Sequence, residues 1–249
     1  MFDPKQLLDQ FLGGQPGDGA WSDRSSHAAW DNPPPGGGMM DRVGAYTRQN
    51  PMLAGGIAGG LAGLLLGRGF GGDLLKYGGM ALIGGLAYKA WRDYQESNLR
   101  SGTSVGHDRP AGFAPPPADS PFAPANAPQG PSKLAETLIV AMIAAAKADG
   151  HIDAEERGRI YQRLEEGGLQ PEEVAFLQRE LTEPVDVERI VAGATSKEAA
   201  IEIYAASLMA VRSDTPQERE YLATLANRLN LEPGLVSSIE KTVDAVVVK

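Results

Sequence analysis

The chain of 249 residues contains no cysteine. That excludes disulfides, thiolate-bound zinc and thiol nucleophiles, and it suits a reducing compartment. Histidine is nearly as scarce, with three in all. His27 and His107 stand in Gly/Pro-rich stretches, and His151 stands alone in a turn, so imidazole chemistry has little to build on. Positive charge is short as well: 23 Lys and Arg face 32 Asp and Glu, for a net charge of −9. Residues 132–249 hold 13 of those basic residues and 21 of the acidic ones, a net of −8. Such a surface repels phosphate backbones, so nucleic acid is excluded as the expected partner. No run alternates as a strand would. Residues 1–20 show no apolar run behind a basic start, so no cleavable signal peptide is expected. A Walker loop, GxSxG, HExxH and a Ser/His/Asp set are all missing. Gly67, Gly69 and Gly71 spell GxGxG, but no strand precedes them.

What the chain has in quantity is glycine, 31 residues of it. The densest stretch is 51–91, PMLAGGIAGGLAGLLLGRGFGGDLLKYGGMALIGGLAYKAW. Asn50 and Pro51 give a helix start. Met52 to Gly67 carries no charge and, as a helix, would be about 24 Å long. Arg68 to Asp73 reads as a turn, and Leu74 to Trp91 is a second apolar run with Lys76 and Lys89 near its ends. Gly55, Gly59, Gly63 and Gly67 are four apart, the spacing that lets helix backbones approach closely in lipid. Ala81 and Gly85 offer a matching groove. Each run is marginal as a single span, so an apolar helical hairpin over 50–92 is expected, anchoring the chain to a membrane through 51–91. The same glycine faces offer a route to homo-oligomers. Arg42, Arg48, Lys89 and Arg92 flank its outer ends, which puts both termini in the cytoplasm.

On either side of the hairpin the chain is less ordered by pattern. Residues 1–12, MFDPKQLLDQFL, place Leu7, Leu8, Phe11 and Leu12 on one face of a short amphipathic helix. Residues 13–49 are a polar Gly/Pro head and 93–131 a Pro/Ala-rich linker, both too poor in apolar groups to offset chain entropy.

Composition changes at Lys133, and residues 132–249 read as an all-α bundle of about seven helices. Leu134 to Lys147 is apolar nearly all round and belongs at its centre. Asp153 with Glu156 starts a second helix as a capping box. Pro171 opens a third, Val185 to Ala194 is a fourth, and Lys197 to Val211 is again apolar on most faces. Thr215-Pro216-Gln217-Glu218 caps a sixth, and Pro233 opens the last. A shift of 62 positions superposes Glu156 on Glu218, Gly168 on Asn230 and Pro171 on Pro233, so the domain holds two similar helix–turn–helix halves. Gly168 and Asn230 suit the left-handed helix stop.

With KADGHIDAEE at 147–156 and SDTPQERE about sixty residues later, this domain resembles the TerB-like domain of tellurite-resistance proteins. The MFDPKQLLDQFL start and ALIGGLAYKAW segment are similar to bacterial inner-membrane proteins of the YebE type. The resemblance implies an all-helical domain with an acidic surface, a tellurite- or stress-resistance context and a divalent-cation site. Arg212 departs from it, since an acidic residue is expected there.

Asp149, Asp153 and Glu156 are the candidate ligands, three carboxylates of the oxygen-rich kind that Ca²⁺, Mg²⁺ or Mn²⁺ takes. Asp214 and Glu218 form a weaker second set beside Arg212. Capping by Asp153, Glu156 and Glu218, with Asp149 solvated, accounts for the same residues without a metal. Two readings follow. The favoured one is a membrane-anchored, non-enzymatic scaffold or sensor whose cytoplasmic acidic domain binds a protein partner under cation control. The alternative is a metal-dependent enzyme working at the 149–156 turn.

Overall fold

The computed structural model describes residues 2–12, 78–99, 114–148, 170–211 and 215–247. Among them are eight α-helices and no strand: α1 (Pro4–Phe11), α2 (Gly79–Leu99), α3 (Pro131–Ala146), α4 (Pro171–Thr182), α5 (Val187–Ala192), α6 (Lys197–Ala210), α7 (Pro216–Arg228) and α8 (Pro233–Val247). A short 3-10 turn, Pro124–Asn126, precedes α3.

Helices α3 and α6 form the centre because neither has a polar face to spare. Leu134, Leu138, Ile139 and Met142 of the first, and Ile201, Ile203, Tyr204 and Ala205 of the second, are at most 1% exposed. Alanines along both helices let the backbones approach, and the Ser207 hydroxyl lies 3.5 Å from the Ala141 carbonyl across the pair. The other helices surround this pair: α1 and α4 on α3, α8 on α6 and α2, and α7 on α6.

The local signals in the C-terminal half set the helix ends. Ser196 accepts a hydrogen bond from the Ala199 N–H at 3.1 Å and so starts α6. Thr215 and Glu218 form the reciprocal capping box of α7, at 3.1 and 3.0 Å. At its other end Asn230 takes φ 54°. The Leu231 N–H then reaches back to Ala226 O at 3.0 Å, and Asn230 N–H to Asn227 O at 3.1 Å. This double return satisfies the last carbonyls of α7. The paired position Gly168 and the helix expected from Asp153 lie outside the described residues.

The N-terminal half differs from the expected division. Residues 4–11 and 79–99 are not appendages but core helices, since Leu7, Leu8, Leu12, Leu82, Ile83, Leu86, Ala87 and Ala90 are all 2% exposed or less. Leu82, Ile83, Leu86 and Ala90 share one buried helical face, and α2 packs on α8, α6 and α1. An apolar helix face suits a protein interior as well as it suits lipid, so composition alone did not separate the two. No helix among the described residues is long and apolar enough to cross a membrane. The glycine run 51–77 lies outside them.

Residues 114–130 are likewise built into the fold. They run as a strap beside α2 and α6, with Phe122 1% exposed and its ring against Tyr88 and Trp91 of α2, at 5.9 and 5.7 Å between centroids. Asn126 holds the strap's turns by donating to Ala118 O and Ser120 O, both at 2.9 Å. Two apolar anchors, Phe122 and Ala123, compensate for the entropy that the prolines alone would not.

Candidate functional site

Asp149, Asp153, Glu156 and Asp214 lie outside the described residues, as does Arg212. Glu218 lies within them, and its carboxylate is engaged at the start of α7 with the Thr215 N–H. Among the described residues, no group of three or more His, Asp or Glu is placed to hold a metal ion.

One groove begins where the first candidate turn would begin, at the C-terminal end of α3. It has a volume of about 590 Å³ and runs between α3, the end of α4 and α5. Val140, Ile143 and Ala144 make its floor, and charged side chains from Lys147 and from 180–189 make its rim. Those charges are largely committed to one another. Lys147 donates to Glu180 O at 2.8 Å and to Glu183 O, which neutralises the carbonyl end of α4. Arg189 sets its two terminal nitrogens on the two oxygens of Glu180, each at 2.9 Å. Asp186 accepts from the Arg189 N–H at 3.0 Å, which starts α5 and points the guanidinium back at α4. The bond to Glu180 raises the Arg189 pKa, so this guanidinium stays charged. The rim is thus a structural ion cluster.

A second open groove, also about 590 Å³, lies between the start of α6 and the α7–α8 turn. Lys197 at its edge pairs with Glu232 at 3.3 Å, and Glu232 also accepts from the Tyr94 hydroxyl of α2. These partners, Tyr94 first, hold the Glu232 carboxyl below its usual range. Arg228 pairs with Glu188 of α5 at 2.7 Å.

Among the described residues, the most perturbed carboxyl is elsewhere. Glu202, in the middle of α6, is 3% exposed, and its oxygens are not among the fully buried atoms that lack a partner. It faces α2 at Gly84. A Cβ added there would lie 2.6 Å from the Phe122 carbonyl oxygen of the strap and 3.2 Å from Glu202 Oε1, with Pro116 Cγ at 3.4 Å. Glycine is required by that close approach. Burial, and after it the like charge of Glu198 one turn earlier, pushes the Glu202 pKa up to about 8. The group is therefore mostly protonated at neutral pH. The sequence reading passed over it because the flanking AAIEIYAASLMA is so apolar. The signal available was a single carboxylate inside that run.

Residues 51–243 match the sequence profile of a family described as "Protein of unknown function (DUF533)". The chain belongs to the DUF533 family. The match covers more than half of the chain, and the family is TerB-like in general, in agreement with the all-helical fold. A protein of Yersinia enterocolitica, described as an uncharacterized protein in the ampR 5' region, is 30% identical to this DUF533 member over 108 residues. That alignment spans 43% of the present chain and 78% of the Yersinia protein. No solved structure matches the chain significantly.

Proposed function

We propose that this DUF533 protein is a membrane-tethered, non-catalytic scaffold of the YebE type, with its acidic helical body in the cytoplasm of a bacterium and a protein partner bound there. The observation that carries the reading is the junction of α1 with α2. Gly79 N–H donates to Asp9 Oδ1 at 2.6 Å, and a Cβ at Gly79 would lie 2.7 Å from Leu12 Cδ1. The described residues on either side of 13–77 therefore lie side by side. A stretch that carries the uncharged run Met52–Gly67 and has both ends held together suits a loop inserted from one side, with α1 and α2 on the same face of the bilayer.

The acidic surface adds the second element. A net of −8 over residues 132–249 favours a partner with a basic face. A divalent cation at Asp149, Asp153 and Glu156 would modulate that contact by lowering the local charge.

Flotation tests the tether. The full chain mixed with phosphatidylethanolamine/phosphatidylglycerol vesicles should rise with the lipid and resist salt and carbonate. The chain lacking 51–77 should stay in the dense fraction with its thermal melt retained. A full chain that stays in the dense fraction would remove the membrane element of the proposal.

A further inference from the structure

The groove between α3, the end of α4 and α5 has no part in the tether, yet its rim is unevenly charged. Four carboxylates, Glu180, Glu183, Asp186 and Glu188, stand there against two cations, Lys147 and Arg189. Both cations are turned inward, Lys147 onto carbonyls at the end of α4 and Arg189 onto the two oxygens of Glu180. Glu188 is neutralised from outside the groove by Arg228. Glu183 and Asp186 are the surplus. Both are exposed. Glu183 lies 4.0 Å from the Arg189 guanidinium, beyond hydrogen-bond reach, and Asp186 spends one oxygen on the Arg189 N–H.

Beneath this rim the groove is apolar. Val140, Ile143 and Ala144 form the floor, and Val185 stands on the lip between the two surplus carboxylates. Val185 is 36% exposed, the one large apolar side chain so exposed among the described residues.

Floor and rim together select a class of ligand. An anion is repelled by the surplus carboxylates. A metal ion bound by side chains would need a third ligating group, and the described residues bring no such three together. A neutral apolar molecule would use the floor alone. A peptide with an apolar side chain between basic ones uses both, filling the floor and setting Lys or Arg against the rim. The groove is also held in shape beforehand, because the Arg189–Glu180 pair and the Lys147 bonds tie α3, α4 and α5 around it. Little ordering is left to be done at docking.

We propose that this groove docks a basic segment of a partner protein, with one apolar side chain on Val140 and Val185 and flanking Lys or Arg on Glu183 and Asp186. The inference rests on the protein-partner element of the reading above, and gives that partner a place and a chemistry.

A random dodecapeptide library displayed on phage and panned on the full chain supplies the probe. Enriched sequences should carry Lys or Arg on either side of a Leu, Ile, Met or Phe. The same peptides, synthesised with a fluorophore, are then titrated by anisotropy. Glu183→Lys and Val185→Ser should each weaken them about fivefold, the size of one lost exposed ion pair or one lost apolar contact. Both positions are exposed, so the thermal melt should be kept; should one variant lose it, the other decides. Glu220→Lys makes the same charge change at an exposed position of α7 outside the groove's lining, and should have no effect. Basic peptides whose affinity ignores Glu183→Lys and Val185→Ser would overturn the groove and leave the partner reading in place. Enriched peptides without basic residues, or no enrichment at all, would overturn both. A wild type that runs as a dimer, with Glu183→Lys running as a monomer, would give this face to a second copy of the chain and overturn the proposal as well.

Discussion

Arg189 grips Glu180 with both of its terminal guanidinium nitrogens, one on each carboxylate oxygen, although the two residues sit on different helices. The Glu180 side chain is 5% exposed and that of Arg189 40%. The pair thus ties α5 to α4 at the lip of a groove, and its inner half is nearly shielded from water as a substitute partner.

Arg189→Ala should therefore leave a buried carboxylate unpaired and cost about 2–4 kcal/mol, the lower part of the usual range because the arginine is partly solvated. Arg179→Ala is the control. Arg179 also reaches Glu180, at 3.3 Å, but its side chain is 54% exposed, and its loss should cost about 0–1 kcal/mol. Urea melts of the two variants should separate clearly. Equal losses would mean that the bidentate pair has no special weight.

Gly84→Ala places a methyl group where the Phe122 carbonyl and Glu202 already stand. Neither is the tip of a flexible exposed chain. The variant should lose about 1–3 kcal/mol, as overpacked cores do. The Trp91 environment should change with it, because the Phe122 ring packs against Trp91. An unaltered melt and emission would show that the strap does not sit on α2 at this point.

The buried carboxyl also fixes the sign of a pH effect on stability. In the fold the Glu202 pKa is raised from the ordinary 4.5 to about 8. Between those values the folded chain holds the proton more firmly than the unfolded chain does. Its contribution is therefore fully present below about pH 4.5 and is lost as pH rises toward 8. The window corresponds to about 4–5 kcal/mol at most, at 1.36 kcal/mol per unit. Glu202→Gln should match the wild type near pH 4.5 and exceed it increasingly up to pH 8. A constant difference between the two melts at all pH values would contradict this.

Asp9 makes the joint between the chain's first helix and α2. Its carboxylate accepts from the Gly79 N–H, and Gly78, at φ 75°, lets the chain turn into the helix there. Asp9→Ala should cost about 1 kcal/mol, as lost helix caps do. Deleting residues 1–12 should cost several times more, because Leu7, Leu8 and Leu12 leave the core with it. Thermal melting of the two variants decides. A deletion with no effect would return α1 to the status of a tail.

How much of this was legible follows from which signals act locally. Capping boxes, prolines at first helical positions and the Asn230 stop operate within a few residues, and the helices of residues 170–247 lie close to where those signals put them. Leu82, Ile83 and Leu86 were seen as apolar, but nothing within α2 states whether lipid or α6 will cover them. The strap is misleading for the same reason. Eight prolines from Pro110 to Pro131 suggest a linker, and it is the remote rings of Tyr88 and Trp91 that hold Phe122 down. Glu202 was the hardest to see, since its perturbation depends on what faces it across the fold. The carboxylates Asp149, Asp153, Glu156 and Asp214 remain sequence-based candidates.

The central claim is that α1, α2, the strap and the C-terminal helices form one body, with Leu12 and Gly79 side by side within it. Hydrogen–deuterium exchange on the full chain in the presence of vesicles tests it most directly. The amides of Leu82 to Ala90 should be as protected as those of Ile201 to Ala206, and should open with the same denaturant dependence. Rapid exchange of Leu82 to Ala90 while the 201–206 amides stay protected would contradict the account, and would make α2 a part of the tether instead of the core.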